Sequence, residues 1–295
     1  MNITLTGASG FLGKPLIASL QADGHQLRVL GRRPVPGLLF SQWDSMTTEP
    51  PEESLASTDA IIHLAGEPVA QRWTPEVKRR IRDSRILGTR HLVHGLSMLS
   101  RRPQLLISAS AIGIYGSRGD EILTERSRPG EGFLAEVTVD WEKEADMAEA
   151  LGIRVVKIRT GVVLGKDGGA LAKMLPPFKM GVGGKLASGK QWMSWVHIAD
   201  IIGMILFALG NEKVHGAWNG TAPHPVANAD FTVNLAKTLH RPAVFPVPAF
   251  ALKLLYGEMA SMVLASQRVL PEAAQSAGFQ FRFPDLAAAL QDVAH

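Results

Sequence analysis

Hydrophobic positions along this chain alternate between two textures. Short, nearly continuous apolar runs read as strands buried on both faces: Ile3-Thr4-Leu5, Leu27-Arg28-Val29-Leu30, Ala60-Ile61-Ile62-His63-Leu64 and "IRVVKI" at 153–158. A further strand is expected at 104–108. Between the strands lie stretches of helical period: Leu12 to Ala22, with Gly24 placed to end it, then 74–100, then 138–151, ending at Gly152. Strand and helix alternate up to about residue 165. That order predicts an α/β fold with a doubly wound parallel sheet of Rossmann type.

Beyond Gly165 the texture changes. Residues 166–192, "KDGGALAKMLPPFKMGVGGKLASGKQW", are rich in Gly and contain a Pro pair, so they read mostly as loop. Helices are expected near 198–209, 229–239 and 248–266. The pattern therefore predicts a first domain over 1–165 and a smaller C-terminal substrate lobe over 166–295, with some later segments returning to the first. Segment 181–192 has two readings. It is a lid whose Lys185, Lys190 and Gln191 face an anionic or polar substrate, or a plain irregular connection.

The first candidate chemistry sits between the first strand and the first helix. "TGASGFLG" at 6–13 places glycines at 7, 10 and 13. Gly7 permits a tight turn, Gly10 lets the backbone approach a pyrophosphate, and Gly13 allows close helix–strand packing. The helix N-terminus behind them favours an anion. This is a dinucleotide site. Its preference is read at the end of the second strand, where an NAD protein carries an acid for the ribose 2′-hydroxyl. Here Gly31-Arg32-Arg33 stands instead, and two guanidiniums suit a 2′-phosphate. The cofactor expected is NADP(H). On helix 74–100, Val77, Ile81, Gly88 and Leu92 trace an inward stripe that includes Arg85. A buried Arg needs a partner. For Arg85 that is either the cofactor or a structural acid.

Composition narrows the class. The chain has 295 residues, 46% hydrophobic and 20% charged, which is globular and ample for a core. It has no cysteine, so disulfides, thiolate metal sites and Cys nucleophiles are excluded. The nine histidines show no metal-ligand spacing, and no metal is expected. The formal charge of +4 favours anionic ligands without arguing for nucleic acid. The N-terminus reads as a strand and not a signal peptide, and the longest apolar stretch, Ile198 to Leu209, is broken by Asp200. A soluble, cytoplasmic protein acting on a small molecule is expected, with no membrane partner.

"TGASGFLG", "HLAG" at 63–66 and "SASAIGIYG" at 108–116 resemble an extended short-chain dehydrogenase/reductase. "WTPEVKRRIRDSR", "IRTGVVLGKDGGALAKMLPPFKMGVGG", "QWMSWVHIADI" and "LPEAAQSAGFQFRFPDLAAAL" are more specific. They resemble the YfcH-like epimerase family, an atypical branch, over essentially the whole chain, including its C-terminal domain of unknown function. The resemblance implies a Rossmann core, NADPH and a carbonyl or sugar-like substrate. It places the cofactor against Gly7, Ser9, Gly10, Phe11 and Leu12, against Arg32 and Arg33, and against Leu64 and Ala65, with Arg85 and Val162 completing the site.

The usual chemistry of that superfamily needs Tyr-x-x-x-Lys on the helix after the serine strand, one turn placing the Lys beside the phenol. The chain has two tyrosines. Tyr115 is followed four residues on by Gly119, and Tyr256 by Ala260, so the motif is absent. Phe133, Leu134, Glu136 or Asp140 occupies its region, and Lys143 lies past Trp141. The remaining candidates are Ser110, to polarise a carbonyl, Tyr115, to donate from the substrate wall, and Glu136 or Asp140, as an acid/base. Each also has a structural reading, Ser110 as a strand-end residue and the carboxylates as helix surface. In "WVHIAD", Asp200 reads as a helix-capping or orienting residue beside His197. The sequence leaves two functions open: an NADP(H)-dependent oxidoreductase or epimerase, and a non-catalytic NADPH-binding sensor or interaction protein.

Overall fold

In the computed structural model, which describes residues 1–294, the elements follow in chain order. The first half holds β1 (Asn2–Thr6), α1 (Gly13–Ala22), β2 (Gln26–Gly31), β3 (Leu39–Gln42), α2 (Glu52–Leu55), β4 (Ala60–His63), α3 (Pro75–Ser97), β5 (Leu105–Ala111), β6 (Ile122–Leu123), α4 (Phe133–Asp146), β7 (Arg154–Thr160) and β8 (Val162–Leu164). Then come α5 (Gly169–Lys179), β9 (Trp192–Met193), β10 (Trp195–His197), α6 (Ile198–Gly210), β11 (Gly216–Gly220), β12 (Val226–Ala227) and α7 (Asn228–Leu239). The chain ends with α8 (Ala249–Tyr256), α9 (Ala260–Leu264), β13 (Arg268–Val269), α10 (Glu272–Ser276) and α11 (Leu286–Val293).

Seven strands form one parallel sheet in the order β11-β7-β5-β4-β1-β2-β3. Helices cover both faces, as a sheet of parallel strands requires. Ile3, Leu5, Ile62, Ile107, Val156 and Ile158 meet α1 and α6 on one face. Ile61, Leu106 and Val155 meet Leu92 and Leu96 of α3 on the other. The chain builds outward through β2 and β3 and then crosses back to β4. The strand order thus reverses between β1 and β4, and a crevice opens beyond their carboxyl ends, where ligands bind in such sheets.

Four elements differ from the sequence expectation. β5 runs to Ala111 and not 108, because β7 continues beside it and pairs Ala111 with Thr160. The helix expected at 138–151 starts at Phe133, after Gly132 at φ +101°, and ends at Asp146, before a separate turn at Glu149–Leu151. Residues 169–179, expected as loop, are helix α5 despite Pro176 and Pro177. Leu171, Met174, Leu175 and Phe178 recur at i, i+3, i+4 and i+7 and bury against α7 and α11. That packing overrides the propensity signal of the prolines. Helix 248–266 is divided into α8 and α9 at Gly257, which lies at φ +61°.

Candidate functional site

The crevice beyond β1 and β4 is shaped by its glycines. Gly7 sits at φ +71°, and a Cβ there would lie 2.7 Å from the Leu64 carbonyl, so β4 comes this close only to a glycine. A Cβ on Gly13 would stand 2.5 Å from the carbonyl oxygens of Gly7 and Ala8. Gly10 differs, since a Cβ there would meet only the Gly7 oxygen, at 3.1 Å. Its other side is open. Two glycines therefore serve packing, and the third keeps a backbone surface clear at the N-terminus of α1. Ser9 and Gly10 are exposed, and Leu12 tucks into the core below them.

A buried chain of polar groups holds the opposite wall. The Thr6 hydroxyl oxygen accepts the N–H of Leu64 and of Ala65, both at 3.1 Å. Its own proton then goes to His63 Nδ1 at 2.8 Å, which fixes the imidazole hydrogen on Nε2. Nε2–H donates to Thr89 Oγ1 on α3 at 3.2 Å, where Trp141 Nε1–H of α4 also donates. His63 is fully buried, and burial alone pulls its pKa down to about 4. It is a neutral tether between the crevice and two helices.

Arg32 and Arg33 stand just past β2, whose Leu30 pairs with Thr6. Both are exposed, and neither makes an ion pair or side-chain hydrogen bond among the described residues. Arg85 reaches the β4 side of the crevice. Its Nη1 donates to the carbonyls of Glu67 and Ile81, each at 3.0 Å, and its guanidinium lies 5.2 Å from the Trp141 ring. Burial pushes its pKa down to about 10, opposed by Glu67, so it remains a cation. No carboxylate among the described residues lies within ion-pair range of it, which disfavours the structural-acid reading. Phe11 lays its ring where Cβ atoms of Gly165, Gly168 and Gly169 would otherwise lie, 2.7–2.8 Å away. It joins the glycine turn to the loop after β8. Val162 begins β8, and its side chain packs on the cluster that α5, α7 and α11 form around Trp195.

The structure does not assemble Ser110, Tyr115 and Glu136 into one set. Ser110 is buried, and its hydroxyl donates to Glu142 Oε1 at 2.5 Å. Glu142 is gripped by Arg159 through Nε and Nη2, both at 2.8 Å. Burial would raise the Glu142 pKa, but the Arg159 bonds and charge outweigh it and hold the carboxyl below its usual value. The Ser110 proton is thus committed to a carboxylate inside the protein. Tyr115 is fully buried. Its hydroxyl donates to Asn219 Oδ1 at 2.7 Å and accepts from Arg159 at 2.9 Å, and burial raises its pKa. It is a core group, not a substrate wall.

On α4, Leu134 and Thr138, four residues apart, face Gly113, just past β5. This i, i+4 face of α4 carries no titratable group. Glu136 lies about 200° round the helix from Leu134 and is exposed. Asp140 pairs on the surface with Arg82 and Lys143. Segment 181–192 is fastened down. Gln191 is buried and donates to the Leu186 carbonyl at 3.1 Å, and Ala187 N–H bonds Val247. Gln191 therefore does not face a substrate. Asp200 accepts the backbone N–H groups of Arg282 and Phe283 and so orients the C-terminal tail.

Sequence reasoning missed Glu142, Arg159, Asn219 and the Thr6–His63–Thr89 chain. A signal existed for Arg159: a charged residue inside an apolar strand must be paired. Its acid, 17 residues back on a helix, gave no sign. Among the described residues, no group of three or more His, Cys, Asp or Glu side chains is placed to hold a metal, and no helix is long and apolar enough to cross a membrane.

Known proteins share this fold. Residues 3–219 match the NAD dependent epimerase/dehydratase family, and residues 247–293 match a domain of unknown function, DUF1731. An Arabidopsis thaliana relative, "Epimerase family protein SDR39U1 homolog, chloroplastic", is 41% identical over 309 residues, covering 99% of this chain and 86% of its own. The crystal structure of human epimerase family protein SDR39U1 (isoform 2) with NADPH superposes with a TM-score of 0.90 at 32% identity, covering 100% of this chain and 99% of that one. A Bacillus cereus UDP-glucuronic acid 4-epimerase, in complex with UDP-glucuronic acid and NAD, matches over 100% of this chain and 98% of its own, with a TM-score of 0.80. At 18% identity it shows the shared fold alone. The glycine turn, the switch in strand order and the tethered β4 end thus have their family: this chain belongs to the NAD dependent epimerase/dehydratase family.

Proposed function

We propose that this protein binds NADP(H) in the crevice between β1 and β4 and uses it on a small molecule held against the second lobe. One observation carries the reading: Arg32 and Arg33 stand unpartnered beside the glycine turn, where a 2′-phosphate would lie. Gly10 would admit the pyrophosphate, Leu64 and Ala65 would border the ribose side, and Arg85 would supply a cation near the nicotinamide half. The human relative crystallised with NADPH supports the same choice.

Bound there, the nicotinamide would supply hydride transfer. The chain's own contribution to proton movement is small. Ser110 and Tyr115 are engaged in the core, Leu134 and Thr138 do not ionise, and Glu136 faces away. We therefore propose an oxidoreductase or epimerase-like protein whose substrate carbonyl receives its proton from water, not from a Tyr-Lys pair. The second reading, a non-catalytic NADPH sensor, is favoured by that same Leu134–Thr138 face. Fluorescence titration with NADPH and NADH tests the cofactor, and equal affinities would overturn it. NADPH oxidation against aldehydes, quinones and sugar nucleotides then separates the two readings, since turnover selects the enzyme and its absence across the panel selects the sensor.

A further inference from the structure

Arg268 is a half-buried cation without a partner. Its guanidinium stacks 4.2 Å from the centroid of the Trp192 ring, and among the described residues it makes no ion pair and no side-chain hydrogen bond. The indole is itself anchored, its Nε1–H donating to Asp120 at 2.8 Å, and Asp120 does not reach Arg268 within ion-pair range. A guanidinium stacked on a ring keeps its in-plane N–H donors free for a carboxylate or phosphate.

Its placement is constructed. β13 pairs with β6, setting Arg268 opposite Ile122. Ser194 Oγ donates to the Gln267 carbonyl at 2.7 Å and accepts Val269 N–H at 2.8 Å. Gln267 Nε2 donates to the carbonyls of Ile112 and Gly116 at 2.8 and 2.9 Å. Gln267 is thereby fixed beside the turn that follows β5, and Arg268 is the next residue along the strand. Leu134 meets the same turn at Gly113. It clusters with Val69, Tyr256, Met262 and Val263, all half-buried. The end of β5 is flanked by an apolar wall and a lone cation.

We propose that the substrate has an apolar body and one anionic head, with the head on Arg268 and the body against Leu134, Val69, Met262 and Val263. This rests on the reading that the same cleft holds the cofactor. A nucleotide sugar would bring many hydroxyls to a wall that offers them few partners, and unmet buried hydroxyls are unfavourable. The test is titration calorimetry on the NADPH-loaded protein with octanoate, octyl phosphate, inorganic phosphate and UDP-glucose. One of the octyl probes should bind at least about tenfold more tightly than inorganic phosphate or UDP-glucose, and which one does so distinguishes a carboxylate from a phosphate head. Arg268→Gln should weaken that probe by roughly tenfold or more, the scale for losing a charge-assisted pair, while NADPH affinity and Tm hold. Arg268→Lys, which keeps the charge without the fork, should fall between. Tighter UDP-glucose binding, no probe binding, or octyl binding unchanged in either folded variant would overturn the proposal. NADPH affinity is titrated separately, and the octyl probes are repeated without nucleotide, so failure of the cofactor reading is visible apart from failure of this one.

Discussion

Ser110 gives its hydroxyl proton to Glu142 across 2.5 Å, and the acceptor is already held by both arms of Arg159. β5 and β7 place Ser110 and Arg159 side by side in register, and α4 lowers Glu142 onto both. The serine belongs to a buried ion-pair network that pins α4 to the sheet. Ser110→Ala should therefore lower stability by about 1–3 kcal/mol, the scale for depriving a buried acceptor of a donor. Glu142→Leu should lower it more, by about 3–5 kcal/mol, because Arg159 is left buried without its acid. Urea unfolding measures both, and NADPH affinity should change less than twofold in Ser110→Ala. A Ser110→Ala protein of unchanged stability that loses a substrate turnover by a hundredfold would return the serine to catalysis.

The fold was legible because its evidence is local. Apolar runs of three to six residues between helical periods give a parallel sheet, and glycines at fixed spacing mark its first turn. α5 was not legible, because Pro176 and Pro177 read as breakers until Leu171 and Phe178 find α7 and α11. The site divided in the same way. Gly7, Gly13, Arg32 and Arg33 are neighbours in sequence of the strands that position them. The engagement of Ser110 was not legible, because it depends on Glu142, 32 residues away on a different element. A hydroxyl on a strand end carries no mark of whether it faces a cleft or a carboxylate.

The glycines of the first turn should separate in their effects. Gly13→Ala forces a Cβ to 2.5 Å from two carbonyl oxygens, so the α1–β1 junction must shift and Tm should fall. Gly10→Ala meets only one oxygen at 3.1 Å, so the fold should hold. The added methyl instead occupies the surface that a pyrophosphate approaches, and NADPH affinity should drop by at least about tenfold, as a lost near-contact of 1.4 kcal/mol implies. Thermal melts and fluorescence titration on both variants check this. A Gly10→Ala protein that binds NADPH normally would remove the phosphates from this turn.

Cofactor preference should lie in Arg32 and Arg33. Charge-assisted pairs to a 2′-phosphate contribute about 1.5–3 kcal/mol, or roughly ten- to a hundredfold in affinity. The Arg32→Ala, Arg33→Ala double variant should lose that margin for NADPH and leave NADH affinity nearly unchanged. Because both side chains are exposed and unpartnered, Tm should not move. The margin should also shrink with added salt, since exposed charges are screened. Preference for NADPH that survives the double substitution would place the 2′-phosphate elsewhere.

His63 should make the protein sensitive to mild acid. Its pKa lies near 4 in the folded state against about 6.5 for a free imidazole, because burial disfavours the charged ring. Between those values the unfolded chain binds a proton that the folded chain refuses, so lowering the pH favours unfolding. The contribution is fully present above about pH 6.5 and is lost progressively toward pH 4, an amount on the order of 3 kcal/mol. His197, also lowered by burial, adds to the same slope. Protonated His63 cannot accept the Thr6 hydroxyl, so the Leu64–Ala65 end of the crevice should loosen with it. Urea unfolding of the wild type at pH 7 and pH 5 should show the loss, and His63→Gln should show a smaller one from a lower starting stability. NADPH affinity should weaken over the same interval in the wild type and stay flatter in His63→Gln. Equal pH dependence in the two proteins would mean that His63 titrates as a free imidazole and tethers nothing.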